Sequence, residues 1–237
     1  MIILAIDSTA VSGSVAICRD EELLCEFTLN IGNTHSETLL PMVESALRMC
    51  GISVSDIDLF ACDEGPGSFT GVRIGAATIK GLAFNSGKPC IGVSTLEALA
   101  ENLVGFEGIA CPVMNARRGQ VYNALFEINN HEVKRLCEDR AIAITELEGE
   151  LLKYNSPIYL AGDGYGITLD GFKELKCKAT PEPLRYQSGY SVAVCALKKY
   201  NNGVCTSDSE LTATYLRLPQ AERERLEKEN NKKETGL

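Results

Sequence analysis

The residues able to do chemistry fall in a few short stretches. Asp7 closes the apolar run Met1–Asp7 and is followed by Ser8, Thr9 and, beyond a turn, Ser14. A carboxylate with hydroxyls and turn amides around it is a hard-oxygen set of the kind that holds a metal-bound phosphate. One carboxylate serves equally well to cap its own turn. Further on, Gly65-Pro66-Gly67-Ser68-Phe69-Thr70-Gly71 lies between a strand and a helix, where free amides and the helix dipole favour an anion. Its spelling is neither G-x-G-x-x-G nor G-x-x-x-x-G-K-[ST], so a tight turn opening a closely packed helix also accounts for it. Arg117 and Arg118 are the candidates for a local phosphate contact. His35, ahead of Ser36 and Glu37, invites a catalytic triad, but no G-x-S-x-G elbow occurs and a histidine at a helix start serves for capping or contact. The chain has 2 histidines, His35 and His131, which excludes a multi-histidine metal centre.

The elements that must position these residues follow from hydrophobic period and turn chemistry. Residues 1–18 give strand, tight turn, strand, and the same grammar returns at 109–126, where Asn115 stands in the place of Asp7. Two such hairpins suggest an internal duplication into similar lobes. His131 falls at a later hairpin tip. Thr34 and Glu37 have capping-box spacing before an apolar face containing Leu39, Val43, Ala46 and Leu47, with Pro41 straining the first turns. A strand at 58–63, a helix at 68–85, a strand at 90–93 and a helix at 96–103 follow. Later come a helix near 145–154, a strand at 158–161 running into Gly162-Asp163-Gly164, and a helix at 191–201. Alternation of strands and helices implies an α/β fold with a partly parallel sheet. In the 68–85 helix, Gly71, Gly75, Thr78 and Leu82 form a narrow small-residue face, which suits either a partner helix or close internal packing.

With 45% hydrophobic and 23% charged residues, the composition is that of a soluble globular protein. The net charge of −9 excludes a broad nucleic-acid-binding surface. That acidity is uneven: residues 1–104 hold 5 Lys+Arg against 13 Asp+Glu. The expected division is therefore an acidic lobe over 1–104, a second lobe over 105–220, and a charged tail over 221–237 that is a solvated helix or disorder. None of the 10 cysteines forms a C-x-x-C pair, so neither a zinc ribbon nor a thioredoxin-type couple can be written. Cys18, Cys62, Cys90, Cys111 and Cys195 lie in apolar runs and are expected in the core. Met1–Asp7 has no basic flank and is too short for a signal peptide or membrane span, which points to the cytoplasm.

Taken together, the Met1–Asp7 strand with its Ser/Thr turn, Thr34-His35-Ser36-Glu37, the run from Gly65 to Gly75, Lys80-Gly81-Leu82-Ala83 and Ala116-Arg117-Arg118-Gly119-Gln120-Val121-Tyr122 resemble the TsaB family, also called YeaZ, of the bacterial tRNA threonylcarbamoyladenosine machinery. The similarity covers most of residues 1–220. The resemblance implies two duplicated lobes of the actin-like, sugar kinase and Hsp70 ATPase fold, which is ribonuclease H-like. It also implies a degenerate nucleotide cleft made of Asp7, Ser8, Thr9, Asn115, Gly119, Gly162, Asp163 and Gly164. In the catalytic relatives, TsaD, a His-x-x-x-His motif follows a Pro-x-x-Gly-Val strand and binds the metal; after Pro89-Cys90-Ile91-Gly92-Val93 those two positions are Thr95 and Leu99.

By this resemblance the chain is a non-catalytic scaffold and activator with no catalytic or metal-binding residues of its own. No cofactor is expected on the isolated chain; ATP and Mg²⁺ belong with the complex. TsaD and the small ATPase TsaE are the implied partners, with tRNA met through the complex, a homodimer when the chain is alone, and no membrane. The implied partner face comprises Thr34, His35, Leu39, Met42, Ala46, Gly71, Val72, Gly75, Thr78, Ile79 and Leu82. The competing reading is an autonomous ATPase of the actin-like fold, or a peptidase, which would need a nucleophile and base that the two histidines do not supply.

Overall fold

The structure is a computed structural model describing residues 1–32, 34–129 and 132–217. His131 and the tail expected over 221–237 lie outside the described residues. In β1 (Ile2–Asp7), strand alternation sends Leu4 and Ile6 to one face and Ile3 and Ala5 to the other, and both faces are buried. The remaining strands of its sheet are β2 (Gly13–Arg19), β3 (Glu22–Leu29), β4 (Leu59–Gly65) and β5 (Cys90–Ser94), in the order β3-β2-β1-β4-β5. β1 to β3 pair antiparallel, and β1, β4 and β5 pair parallel. α1 (His35–Cys50) and α2 (Phe69–Ala83) cover the Leu4 face through Leu39, Met42, Val43, Ala46, Ala76 and Ile79. The expected capping box is absent: Thr34 makes no side-chain cap, and its carbonyl accepts the Glu37 N–H instead. α1 continues through Pro41. That residue is exposed, so the carbonyl left without an N–H partner can be met by water.

α3 (Thr95–Glu101) joins the halves, presenting Leu96, Leu99 and Ala100 to the second sheet and Ala98 to the first. The second half contains β6 (Gly108–Asn115), β7 (Gln120–Asn123), β8 (Phe126–Asn129), β9 (Glu132–Arg135), β10 (Arg140–Ala143), α4 (Ile144–Leu151), β11 (Ile158–Ala161), α5 (Tyr165–Gly171) and α6 (Gly189–Asn201). The strand expected to run through 120–126 is broken. β7 pairs with residues 113–115 of β6 and β8 with 108–110, so Pro112, which has no N–H to contribute to a ladder, falls in the gap. The buried Asn123 side chain bridges it, donating to the carbonyls of Pro112 and Ala124 at 2.9 Å each. Allowing for that break, β6 to β11 repeat the antiparallel-then-parallel pattern of β1 to β4. The chain is thus two duplicated lobes of the actin-like, ribonuclease H-like fold.

α6 departs from the lobe boundary drawn from chain order. Its buried residues Val192, Ala193, Cys195 and Ala196 pack with Ile3, Ala5, Ala16 and Ala61 of the first sheet. Its N-terminus is fastened there by Glu26, whose Oε1 accepts from the Ser14 and Ser188 hydroxyls and from the Tyr190 N–H. The five cysteines expected in the core are buried, and all ten thiols are free.

Candidate functional site

The register that pairs Ile6 with Cys62 also sets Asp7 beside Asp63 at the ends of parallel neighbours β1 and β4. Both carboxyls are buried. Asp7 Oδ1 accepts the Thr9 N–H and hydroxyl at 2.8 Å each, which makes it the cap of its own turn. Among the described residues, its Oδ2 and both Asp63 oxygens have no hydrogen-bond partner. Loss of water drives both carboxyls toward the neutral form, and the charge of Asp7 drives Asp63 further. Asp63 is thus the one pushed further toward the neutral form, while the Thr9 donors favour the anion at Asp7. Asp63 escaped notice in the sequence, where it looks like the last residue of an apolar strand.

A magnesium-bound phosphate does not fit this pair. Mg²⁺ keeps several waters and needs open oxygens. These carboxyls are sealed from solvent, and neither lines the cleft above them. Among the described residues, no group of three or more His, Cys, Asp or Glu is placed to hold a metal ion.

The Gly65–Gly71 loop is seated on the β1–β2 turn. The Ser68 N–H donates to Thr9 O at 2.6 Å, the Ser8 hydroxyl donates to Gly71 O at 2.9 Å, and Ser68 Oγ caps α2 by accepting the Gly71 N–H. Two of the amides that a phosphate would use are thus engaged inside the chain. The glycines allow the approach: a Cβ on Gly71 would lie 1.9 Å from Ser8 O, and one on Gly75 2.5 Å from Ser8 Oγ. His35 belongs to the same assembly, its Nε2–H donating to Ala10 O at 2.7 Å.

Facing this turn across a cleft of about 510 Å³ is the second lobe, which contributes Asn115, Arg117 and Asp163 to the lining opposite Thr9, Ser68 and Thr70. Asp163 Oδ1 accepts the Asn115 N–H at 2.8 Å, and Asn115 Oδ1 the Arg117 N–H. Arg117, Arg118 and Gly119 all turn with positive φ. Of the eight residues expected in the cleft, Thr9, Asn115 and Asp163 line it. Asp7 and Ser8 lie buried beneath the turn, and Gly162 and Gly164 are backbone packing, the Gly164 N–H donating to Val113 O. Gly119 accepts the Ile144 N–H at its carbonyl and stands outside the lining.

The residues expected to face a partner divide in two. Leu39, Met42, Ala46, Gly71, Gly75 and Ile79 are buried against the chain's own first sheet or its β1–β2 turn, so they cannot meet another molecule in this fold, and Val72, also buried, borders the interlobe cleft. Helical spacing had not distinguished inside from outside. Thr34 is exposed, and His35, Thr78 and Leu82 are half-buried. Thr95 and Leu99, the positions where the resemblance puts metal-binding histidines, are fully enclosed, Leu99 in the apolar cluster between α3 and the second sheet.

Comparison with known proteins agrees with the fold. The family model described as tRNA N6-adenosine threonylcarbamoyltransferase, TsaD, matches residues 24–222. The tRNA threonylcarbamoyladenosine biosynthesis protein TsaB of Bacillus subtilis is 33% identical over 162 residues, 68% of this chain and 71% of that protein. Its Escherichia coli namesake is 36% identical over 177 residues, 73% and 76% of the two chains. The solved structure of YeaZ from Pseudomonas aeruginosa superposes with a TM-score of 0.77 at 24% identity, covering 91% of this chain and 99% of that one. The chain belongs to the TsaB (YeaZ) family of tRNA threonylcarbamoyladenosine biosynthesis proteins.

Proposed function

We propose that the chain is a non-catalytic scaffold and activator of the threonylcarbamoyl transferase, pairing with TsaD and TsaE in the cytoplasm and meeting tRNA through the complex. The observation that carries this reading is the enclosure of Thr95 and Leu99: where the catalytic relatives are expected to hold metal, this frame has a sealed hydroxyl and a core leucine. The chain needs no cofactor of its own; ATP and Mg²⁺ act in the complex. In a reconstituted assay with TsaD, TsaE, tRNA, ATP and threonylcarbamoyl-adenylate as the group donor, the expected result is no tRNA modification by this chain alone and a strong fall in modification when it is left out. Transfer by the chain alone, or a rate indifferent to its omission, overturns the reading.

The docking face is the outward side of α1 and α2. Ala77, Gly81 and Phe84 are exposed at helical spacing, Ile74, Thr78 and Leu82 flank them half-buried, and Leu40 and Met49 are exposed on α1. A homodimer of the free chain uses the same face. The Ala77→Arg variant is expected to lose tenfold or more in affinity for TsaD, on the order of 1.4 kcal/mol, at unchanged Tm. Wild-type affinity in a titration would remove α2 from the interface.

An autonomous ATPase is the second reading, favoured by the open cleft alone. Calorimetry with Mg-ATP separates the two: tight binding that Asp7→Ala abolishes belongs to the ATPase.

A further inference from the structure

Residues 206–217 follow neither strand nor helix period, yet they are tied down along their length. Thr206 and Cys90 exchange backbone hydrogen bonds of 2.8 and 3.1 Å, and Leu211 is buried in the core that α1 and α2 cover. The segment then follows one side of α2 toward its start. Lys80 Nζ donates to Ser209 O, Arg73 Nε donates to the Tyr215 hydroxyl at 2.9 Å, and the Tyr215 ring lies 4.7 Å from that of Phe69. Positions 69, 73 and 80 share a helix face, so the three contacts form one seam. The Thr214 N–H donates to Glu64 O at 2.7 Å, beside the glycine loop.

Up to this point each of these ties is to the first lobe. Arg217 reaches the second: Nη1 donates to Ala116 O at 3.0 Å, Nη2 donates to Gln120 Oε1, and the guanidinium lies 5.6 Å from the centre of the Tyr122 ring. Thr214, Tyr215, Leu216 and Arg217 together line the cleft. α3, α6 and the β1–β2 turn also hold the lobes together, Ala10 entering the apolar cluster between α3 and the second sheet and the Ser12 hydroxyl donating to Gln187 Oε1; Arg217 adds a tie at the cleft mouth.

We infer that residues 206–217 are a latch over the interlobe cleft, anchored on α2 and closed by Arg217 on the turn between β6 and β7. While Arg217 holds Ala116 and Gln120, the lobes keep one opening and the chain itself walls the entrance. When Arg217 lets go, the turn between β6 and β7 is free to move away from residues 206–217 and the cleft mouth opens.

Hydrogen–deuterium exchange on the full chain tests this. Arg217→Ala is expected to speed exchange about tenfold in the amides of 66–72 and 115–121, with β1 and β6 unchanged, because only a local opening is eased. Arg73→Ala, which loosens the anchor at the other end, is expected to speed the same two segments. Parent rates in both segments, or acceleration spread equally into β1 and β6, overturn the latch.

Discussion

Gly71→Ala is expected to abolish cooperative folding or to cost upwards of about 4 kcal/mol, the range reserved for a clash that the surroundings cannot relieve. The added methyl would sit 1.9 Å from Ser8 O and 3.1 Å from Ser8 C, both backbone atoms. The turn cannot retreat, because Asp7 holds Thr9 through two bonds and Thr9 O in turn accepts the Ser68 N–H. The helix cannot retreat either, since Val72 and Ile79 are buried beneath it. Two more alanines on α2 calibrate the effect. At Gly75 the methyl meets only Ser8 Oγ, which can rotate away at the loss of one hydrogen bond, about 1 kcal/mol. At Gly81 it meets open space, and removing a helical glycine stabilises by about 0.5–1 kcal/mol. Thermal melts should rank the variants Gly81→Ala, parent, Gly75→Ala, Gly71→Ala from most to least stable. A Gly71→Ala protein melting beside its parent would mean that the turn and helix are not locked together.

Asp63→Asn should make the protein more stable at neutral pH. The folded chain prefers Asp63 neutral, because burial and the neighbouring Asp7 charge raise its pKa well above the ordinary 3.8. A carboxyl raised in this way adds stability that is whole below the unfolded value and lost as pH climbs through the folded one. Asparagine is neutral at every pH and can donate its amide to Asp7 Oδ2. Replacing a buried ionisable group by a neutral one of like volume brings on the order of 1–4 kcal/mol, and each kcal/mol moves Tm by roughly 2–4 °C in a chain of this size. The difference in Tm between variant and parent should be large at pH 8 and shrink toward pH 4. Parallel curves across that range would show that the fold does not hold Asp63 neutral.

Much of the frame was legible in the residues. β1 and β2 were plain from runs that are apolar on both faces, and the duplication from the recurrence of that hairpin ending in Asn115 rather than Asp7. α2 was plain from its period, but period cannot distinguish a face turned inward from one turned out, and the deciding fact for Gly71 was the position of Ser8 O, distant in sequence. α5 went unseen because Tyr165–Gly171 is short and contains two glycines, weak helix formers. β10 was missed as a four-residue piece, half-exposed and without strong alternation. Asp63 was hidden by its apolar neighbours, and residues 206–217 by having no period at all, since their order comes from contacts with residues distant in sequence.

The return of α6 to the first sheet has a consequence for synthesis. One whole face of that sheet, Ile3, Ala5, Ala16, Leu59 and Ala61, is covered by a helix that ends at Asn201. At about 5–20 residues per second, the ribosome delivers that helix some 5–20 s after the first lobe's strands have emerged. The lobe made first is thus completed late, and its uncovered face must be shielded from other nascent chains during that interval.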